Sequence, residues 1–220
     1  MAAIKIWGAE TPRSFRPIWM AEELGIDYEH LPIGPRTGET QTEEYTRMNR
    51  KQKIPFLVDE SADLRISESV AICRYLRNAY PGPNVFVPDT LAHAAKEDEW
   101  VCYVYGELDE TGLYVMRRHT DLAAIYGTSE EVVASTKGYL QRHMNVLEAH
   151  LAGREHLMDQ GFGLADLLLV SCLDWASFYG VELPPEVARY RDHNAQRPAY
   201  EKAMQVNYVE LLGGTRNGTA

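Results

Sequence analysis

The segment Tyr80-Pro81-Gly82-Pro83-Asn84-Val85-Phe86-Val87-Pro88 packs three prolines and a glycine into nine residues. Proline cannot donate to a helix or a ladder, and glycine populates conformations other residues avoid, so such a run reads as a linker. It separates two stretches of different character. Before it, short apolar runs suited to strands alternate with helical periodicity; after it, strand signals stop. The chain of 220 residues has room for two modest domains. The pattern predicts an α/β domain over 1–80, a linker over 81–90 and an all-helical domain over 91–220.

In the first stretch, Ile4 to Trp7 is a strand candidate and Gly8 to Arg13 a loop. Ser14 to Leu24 carries Phe15, Ile18, Trp19 and Leu24 near helical period, with Gly25 suited to end the helix. Tyr28 to Pro32 reads as a second strand, which makes a βαβ unit with a right-handed crossover. A polar loop over 34–41 and a short helix over 42–48 lead to strands at Phe56 to Val58 and Leu64 to Ile66, then a helix from Glu68 to Asn78. In the second stretch, helical patterns cover Leu91 to about His119 with a kink near Gly112, then Thr128–Leu151, Leu164–Tyr179, Pro185–Asn194 and Ala199–Leu212. A small, polar tail from 213 to 220 is expected to fray.

Composition narrows the function classes. Hydrophobic residues make up 45% of the chain, enough for a sizeable core, and 22 Lys and Arg against 32 Asp and Glu leave a net charge of −10. That balance argues against a nucleic-acid or anionic-membrane surface, which needs a clustered basic field. The three cysteines, Cys73, Cys102 and Cys172, form no CxxC and no metal-type cluster. The histidines at 30, 93, 143, 150, 156 and 193 share no metal-ligand spacing, so no metal is expected. The opening MAAIKIWGAE lacks a charged region followed by an apolar run, and no stretch of about 18 apolar residues exists. A reduced, cytoplasmic, soluble protein is expected, and Asn217-Gly218-Thr219 is then a chance glycosylation match.

Two segments carry the chemistry. Lys53-Ile54-Pro55-Phe56-Leu57-Val58-Asp59 reads as a strand entered through proline, where a cis bond would bare the Ile54 N–H and C=O to an extended ligand backbone. Ser67-Glu68-Ser69-Val70-Ala71-Ile72 reads as a helix start with Ser67 as N-cap. Main-chain hydrogen bonds beside a helix N-terminus suit a small anionic peptide. This pairing resembles the glutathione-binding half of the cytosolic glutathione S-transferase family, in its bacterial-like Ser/Thr/Cys branch. The resemblance covers nearly the whole chain. It implies a thioredoxin-like α/β N-terminal domain plus an all-α C-terminal domain, glutathione as co-substrate and a homodimer. Phe162-Gly163-Leu164-Ala165-Asp166 resembles the start of the family's central helix, with Gly163 at the cap position.

The resemblance also implies roles. Ile54, ahead of Pro55, pairs the cysteinyl part of glutathione through its backbone. Glu68 holds the γ-glutamyl ammonium and Ser69 its carboxylate, while Gln52 and Lys53 face the glycyl carboxylate with Arg36 and Thr40 as a second source. A thiol near pKa 8.5 is mostly protonated at neutral pH, and lowering it by about two units takes about 2.7 kcal/mol. Family members with a tyrosine donor place it near the end of the first strand, where Trp7 stands here without a hydroxyl. In the following loop, Thr11-Pro12-Arg13-Ser14 offers two hydroxyls where a redox fold would carry CxxC. Counting back from Arg16 favours Thr11 as thiolate donor, with Ser14 second; Thr11 also reads as a turn residue and Ser14 as a plain N-cap.

Trp100, Tyr103, Tyr105 and Tyr114 are the substrate-pocket candidates, and also suit core or dimer contacts. Arg117-Arg118-His119 reads as a cationic helix end, and Cys73 and Cys102 as small buried hydrophobes. The expected function is a detoxifying transferase that adds the glutathione thiolate to an electrophilic, mostly apolar small molecule. Disulfide reduction or ether cleavage with glutathione, and a non-catalytic protein-interaction module, are the alternatives.

Overall fold

The computed structural model describes residues 3–209. In chain order its elements are β1 (Ile4–Trp7), α1 (Pro12–Leu24), β2 (Tyr28–Leu31), α2 (Glu43–Met48), β3 (Phe56–Asp59), β4 (Leu64–Ser67) and α3 (Ser69–Ala79). There follow α4 (Leu91–Tyr103), α5 (Val115–His119), α6 (Ala123–Tyr126), α7 (Glu130–Leu151), α8 (Leu164–Phe178), α9 (Pro185–Ala195) and α10 (Pro198–Asn207). The chain forms two compact units, one of residues 3–87 with 196–209 and one of residues 88–195.

The first unit is a thioredoxin-like α/β fold. Its sheet runs β2-β1-β3-β4, with β1 parallel to β2 and antiparallel to β3, and β3 antiparallel to β4. Side-chain alternation sorts the two faces. Ile4, Ile6 and Leu57 are buried on the face where α1 and α3 pack. Trp7 and Phe56 point the other way and pack with Tyr45 of α2, Trp7 and Phe56 with ring centroids 5.5 Å apart.

The last helix belongs to this unit, whereas the division drawn from sequence left it with the helical half. The physical reason is side-chain matching to α1. Tyr200 meets Phe15 and Trp19 edge-on at 5.5 and 5.1 Å, and Tyr208 lies 5.9 Å from Phe15. Arg197 forks onto buried Glu23 at 2.6 and 2.7 Å, a planar match that guanidinium makes better than ammonium. The α10 helix ends at Asn207 rather than at 212, and the tail expected over 213–220 lies outside the described residues.

The second unit is all-helical. Its centre is α8, where nearly every residue from Leu164 to Ala176 is buried. Gly163 holds the cap position, as expected. It has no side chain to cap with, and Asp166 instead accepts from its N–H at 2.9 Å. Helix runs from Leu91 to His119, and Val104–Tyr114, which includes the Gly112 where a kink is expected from sequence, is wound as a π-helix. A Cβ on Gly112 would overlap the Leu140 side chain, so glycine there lets α7 approach closely.

Candidate functional site

Gly8 joins the two parts of the site within the first unit. Its φ of +125° is reserved for glycine, and an added Cβ would lie 3.0 Å from Ile54 Cβ and 3.1 Å from Ser14 Cβ. The residue after β1 therefore lets the strand-entry loop and the α1 N-terminus come together. His30 on β2 braces this turn, Nε2 to the Gly8 carbonyl at 2.9 Å. Burial lowers its pKa, which keeps the ring neutral.

The Ile54–Pro55 peptide bond is cis. Ladder pairing starts only at Phe56, so the Ile54 backbone takes no part in the sheet. The loop before it is pinned at Lys53, whose carbonyl accepts from Tyr45 Oη at 2.8 Å and Asn49 Nδ2 at 2.9 Å. The Lys53 side chain is exposed, and Gln52 spends its amide on Thr46 at 2.9 Å. Arg36 is exposed, whereas Thr40 is buried and accepts from Gln41.

Helix α3 starts one residue later than the sequence suggested. Ser67 is still paired with Phe56 in the sheet, so it cannot cap, and Glu68 takes the N-cap position. Glu68 has φ 77° and ψ 118°, a conformation that costs about 1–3 kcal/mol in a residue with a side chain. No side chain among the described residues caps this terminus. The first-turn N–H groups and the macrodipole are thus presented to an anion. Ser69 opens the helix and is buried, its hydroxyl 3.3 Å from Nη1 of Arg16, which is itself fully buried. Sequence reasoning used Arg16 only to count back to Thr11. Its place behind Ser69 links residues 53 positions apart and has no local signal. Glu68 pairs with Lys51 at 2.9 Å on the surface. Exposed pairs of this kind contribute about 0–1 kcal/mol, so a ligand ammonium can displace the lysine cheaply.

Thr11, not Ser14, is the N-cap of α1. Its Oγ1 accepts from Ser14 N–H at 3.0 Å, and Ser14 Oγ accepts from Thr11 N–H at 3.2 Å, a reciprocal capping box. Ser14 Oγ also lies 2.8 Å from Thr11 Oγ1, 3.0 Å from the Thr11 carbonyl and 2.9 Å from Asn207 Oδ1. A hydroxyl has one proton. The Thr11 carbonyl already accepts from Phe15 N–H at 3.0 Å and Asn207 Nδ2 at 3.2 Å, so the Ser14 proton belongs on Asn207 Oδ1. Ser14 is fully buried and committed. The Thr11 proton rests on Ser14 Oγ and can turn to a stronger acceptor, and Thr11 retains 5% exposure. An anionic sulfur is such an acceptor, since charge-assisted bonds are about twice as strong as neutral ones.

The four aromatic candidates lie in the second unit. Trp100 and Tyr103 come together, ring centroids 5.7 Å apart. Both are engaged by α7: Trp100 packs on His150 at 4.3 Å, and Tyr103 Oη bonds His143 Nδ1 at 2.7 Å. Tyr105 reaches Glu110 instead, and Tyr114 lies under the Arg118 guanidinium at 4.9 Å. Of the cysteines, Cys73 and Cys172 are buried and Cys102 is exposed, which corrects the reading of Cys102 as a buried hydrophobe. Burial pushes the Cys73 thiol up to about 12, with Arg16 and Arg77 offsetting only part. No helix among the described residues is long and apolar enough to cross a membrane.

Comparison with known proteins identifies the family. Residues 2–78 match the family described as glutathione S-transferase, N-terminal domain, and residues 95–198 match glutathione S-transferase, C-terminal domain. The chain is 28% identical over 210 residues to glutathione S-transferase 4 of Zea mays, covering 92% of each chain. It is 24% identical to glutathione S-transferase GstB of Escherichia coli, covering 92% of this chain and 98% of that one. Among solved structures, the glutathione transferase URE2P6 of Phanerochaete chrysosporium, in complex with oxidized glutathione, superposes with a TM-score of 0.83 at 22% identity, covering 94% of this chain and 97% of the other. At that identity the likeness speaks for the fold.

Proposed function

The chain belongs to the glutathione S-transferase family, and on that premise we propose that it is a glutathione transferase acting on an electrophilic, mostly apolar small molecule. Glutathione lies extended along the Ile54 backbone. Its γ-glutamyl carboxylate meets Ser69 and the α3 N-terminus, and its ammonium displaces Lys51 from Glu68. The Thr11 hydroxyl turns from Ser14 to the sulfur, the thiol proton leaves to water, and the α1 N-terminus adds favourable potential. The thiolate then forms an S–C bond, and a leaving group departs with the bonding electrons.

The observation that carries this reading is the spacing of the two hydroxyls: Ser14 Oγ lies 2.9 Å from Asn207 Oδ1, whereas Thr11 Oγ1 is engaged only by Ser14 among the described residues. The experiment is an ultraviolet titration of the bound thiolate in the wild type, Thr11→Ala and Ser14→Ala, together with turnover of a halogenated arene. A hydrogen bond to a charged group contributes about 1.5–3 kcal/mol, so Thr11→Ala should raise the bound thiol's pKa by about 1–2 units. An unchanged pKa would remove Thr11 from the mechanism. Turnover of mixed disulfides without turnover of the arene would mark a reductase. Failure to bind glutathione at all would leave a fold used for protein contacts.

A further inference from the structure

We infer that Glu155, His156 and His193, all in the helical unit, form a binding site for a late first-row divalent cation, with Zn2+ as the expected occupant. This inference is independent of the reading of the glutathione site. Each residue offers one ligand atom, and these atoms all lie within 4.8 Å of one another. The two imidazole centroids are 6.1 Å apart. Tetrahedral coordination with bonds of 2.0–2.1 Å needs ligand atoms about 3.3 Å apart, so side-chain rotations of an ångström or so complete the site.

The backbone that carries these ligands is already held. Asn194, fully buried beside His193 in the last turn of α9, donates through Nδ2 to the Glu155 carbonyl at 3.0 Å and the Tyr190 carbonyl at 2.9 Å. One side chain thus ties the helix bearing His193 to the loop bearing the other two ligands. On the far side of His156, Leu157 is pinned at both ends: its N–H donates to Asp166 Oδ1 at 2.7 Å, and its carbonyl bonds His150 Nε2 at 3.0 Å. Tyr190 Oη donates to the same carboxylate oxygen at 2.6 Å, closing the frame through α9. Only side-chain torsions remain to be ordered on binding, which lowers the entropic cost.

Two imidazoles and one carboxylate select zinc-like ions over Mg2+ or Ca2+, which prefer all-oxygen sets. Three protein ligands leave a fourth position for water. The ion would clamp the loop before α8 to the end of α9. The histidine spacing in the sequence could not show this, because the two imidazoles come from segments far apart in the chain.

The test is calorimetric titration of the full chain with Zn2+ alone in a non-coordinating buffer, supported by the visible spectrum of the Co2+ form. The variants are His193→Ala and Glu155→Gln, both at exposed positions, with His93→Ala as a surface-histidine control. One Zn2+ per chain is expected, with affinity reduced about tenfold or more by His193→Ala, less by Glu155→Gln and not by His93→Ala. Thermal midpoints should rise with Zn2+ in the wild type and not in His193→Ala. Absence of saturable binding, or equal binding by the wild type and His193→Ala, would overturn the proposal.

Discussion

Ser14 and Asn207 stand 193 positions apart in the chain and share a 2.9 Å hydrogen bond with both side chains fully buried. The asparagine does three things at the α1 N-terminus. Its Oδ1 takes the Ser14 proton, its Nδ2 donates to the Thr11 carbonyl at 3.2 Å, and its carbonyl accepts from Glu10 N–H at 2.9 Å. The loop that would handle a thiolate is held by a residue from the end of the last helix.

Replacement of Asn207 by alanine should therefore act on stability and chemistry together. It removes two buried hydrogen bonds, and the Ser14 hydroxyl recovers one by turning to the vacated Thr11 carbonyl 3.0 Å away, so a net loss of about 1 kcal/mol is expected. The loop also loses its side-chain anchor to the last helix, so the Thr11 hydroxyl is held less firmly in place for the sulfur. Urea unfolding should show the stability loss, and the pKa of bound glutathione should rise relative to the wild type. A variant as stable as the wild type would show that the network is not energetically coupled.

Ser69→Ala removes a hydroxyl from the proposed anion site while leaving the α3 N–H groups in place. One hydrogen bond to a carboxylate is lost, which corresponds to roughly 10–100-fold in affinity. Calorimetry with glutathione should show weaker binding without loss of fold. S-methylglutathione should be affected to the same degree, because the change lies away from the sulfur. Affinity within about twofold of the wild type would exclude Ser69 from the contact.

Asp59 links stability to acid. Burial alone would raise its pKa, but hydroxyls from Ser61, Tyr75 and Tyr80 outweigh that and hold it at about 2. Against an unfolded value near 3.9, the depressed folded pKa contributes roughly 2 kcal/mol above about pH 4, lost as pH falls toward 2. Tyr75→Phe removes one donor, so it should destabilise by about 1 kcal/mol at pH 7. The difference from the wild type should shrink in urea titrations near pH 3; a pH-independent difference would indicate lost packing instead.

Thiol reactivity should separate the three cysteines. Cys102 is exposed, Cys172 is fully buried, and Cys73 is buried with its thiol pushed up to about 12. A disulfide reagent should titrate one thiol rapidly in the native protein and three after unfolding. Cys102→Ala should abolish the fast phase; persistence of that phase would mean that α3 or α8 opens readily.

What was legible in the sequence was local. Pro55 before an apolar run and Glu68-Ser69 before a helical period read correctly as a strand start and a helix start, because each depends on a few adjacent residues. The cap at 67 was misplaced because Ser67 has good cap chemistry, and nothing local shows that its backbone is spent on Phe56. The place of the last helix in the first unit is not legible for a related reason. Its aromatic and charged residues look the same whether they face other helices or, as Tyr200 and Arg197 do, Phe15 and Glu23. Arg16, Asn207 and the pairing of His156 with His193 depend wholly on tertiary proximity.

The discontinuous first unit has a consequence for synthesis on the ribosome. Residues 3–87 emerge early, yet the helix that shields Phe15 and Trp19 and supplies Asn207 comes only after residues 88–195. At about 5–20 residues per second, the nascent α/β unit waits on the order of 5–20 s with its α1 flank uncovered. Translation speed through the helical segment thus sets how long that aromatic surface stays open to chaperones or to neighbouring nascent chains.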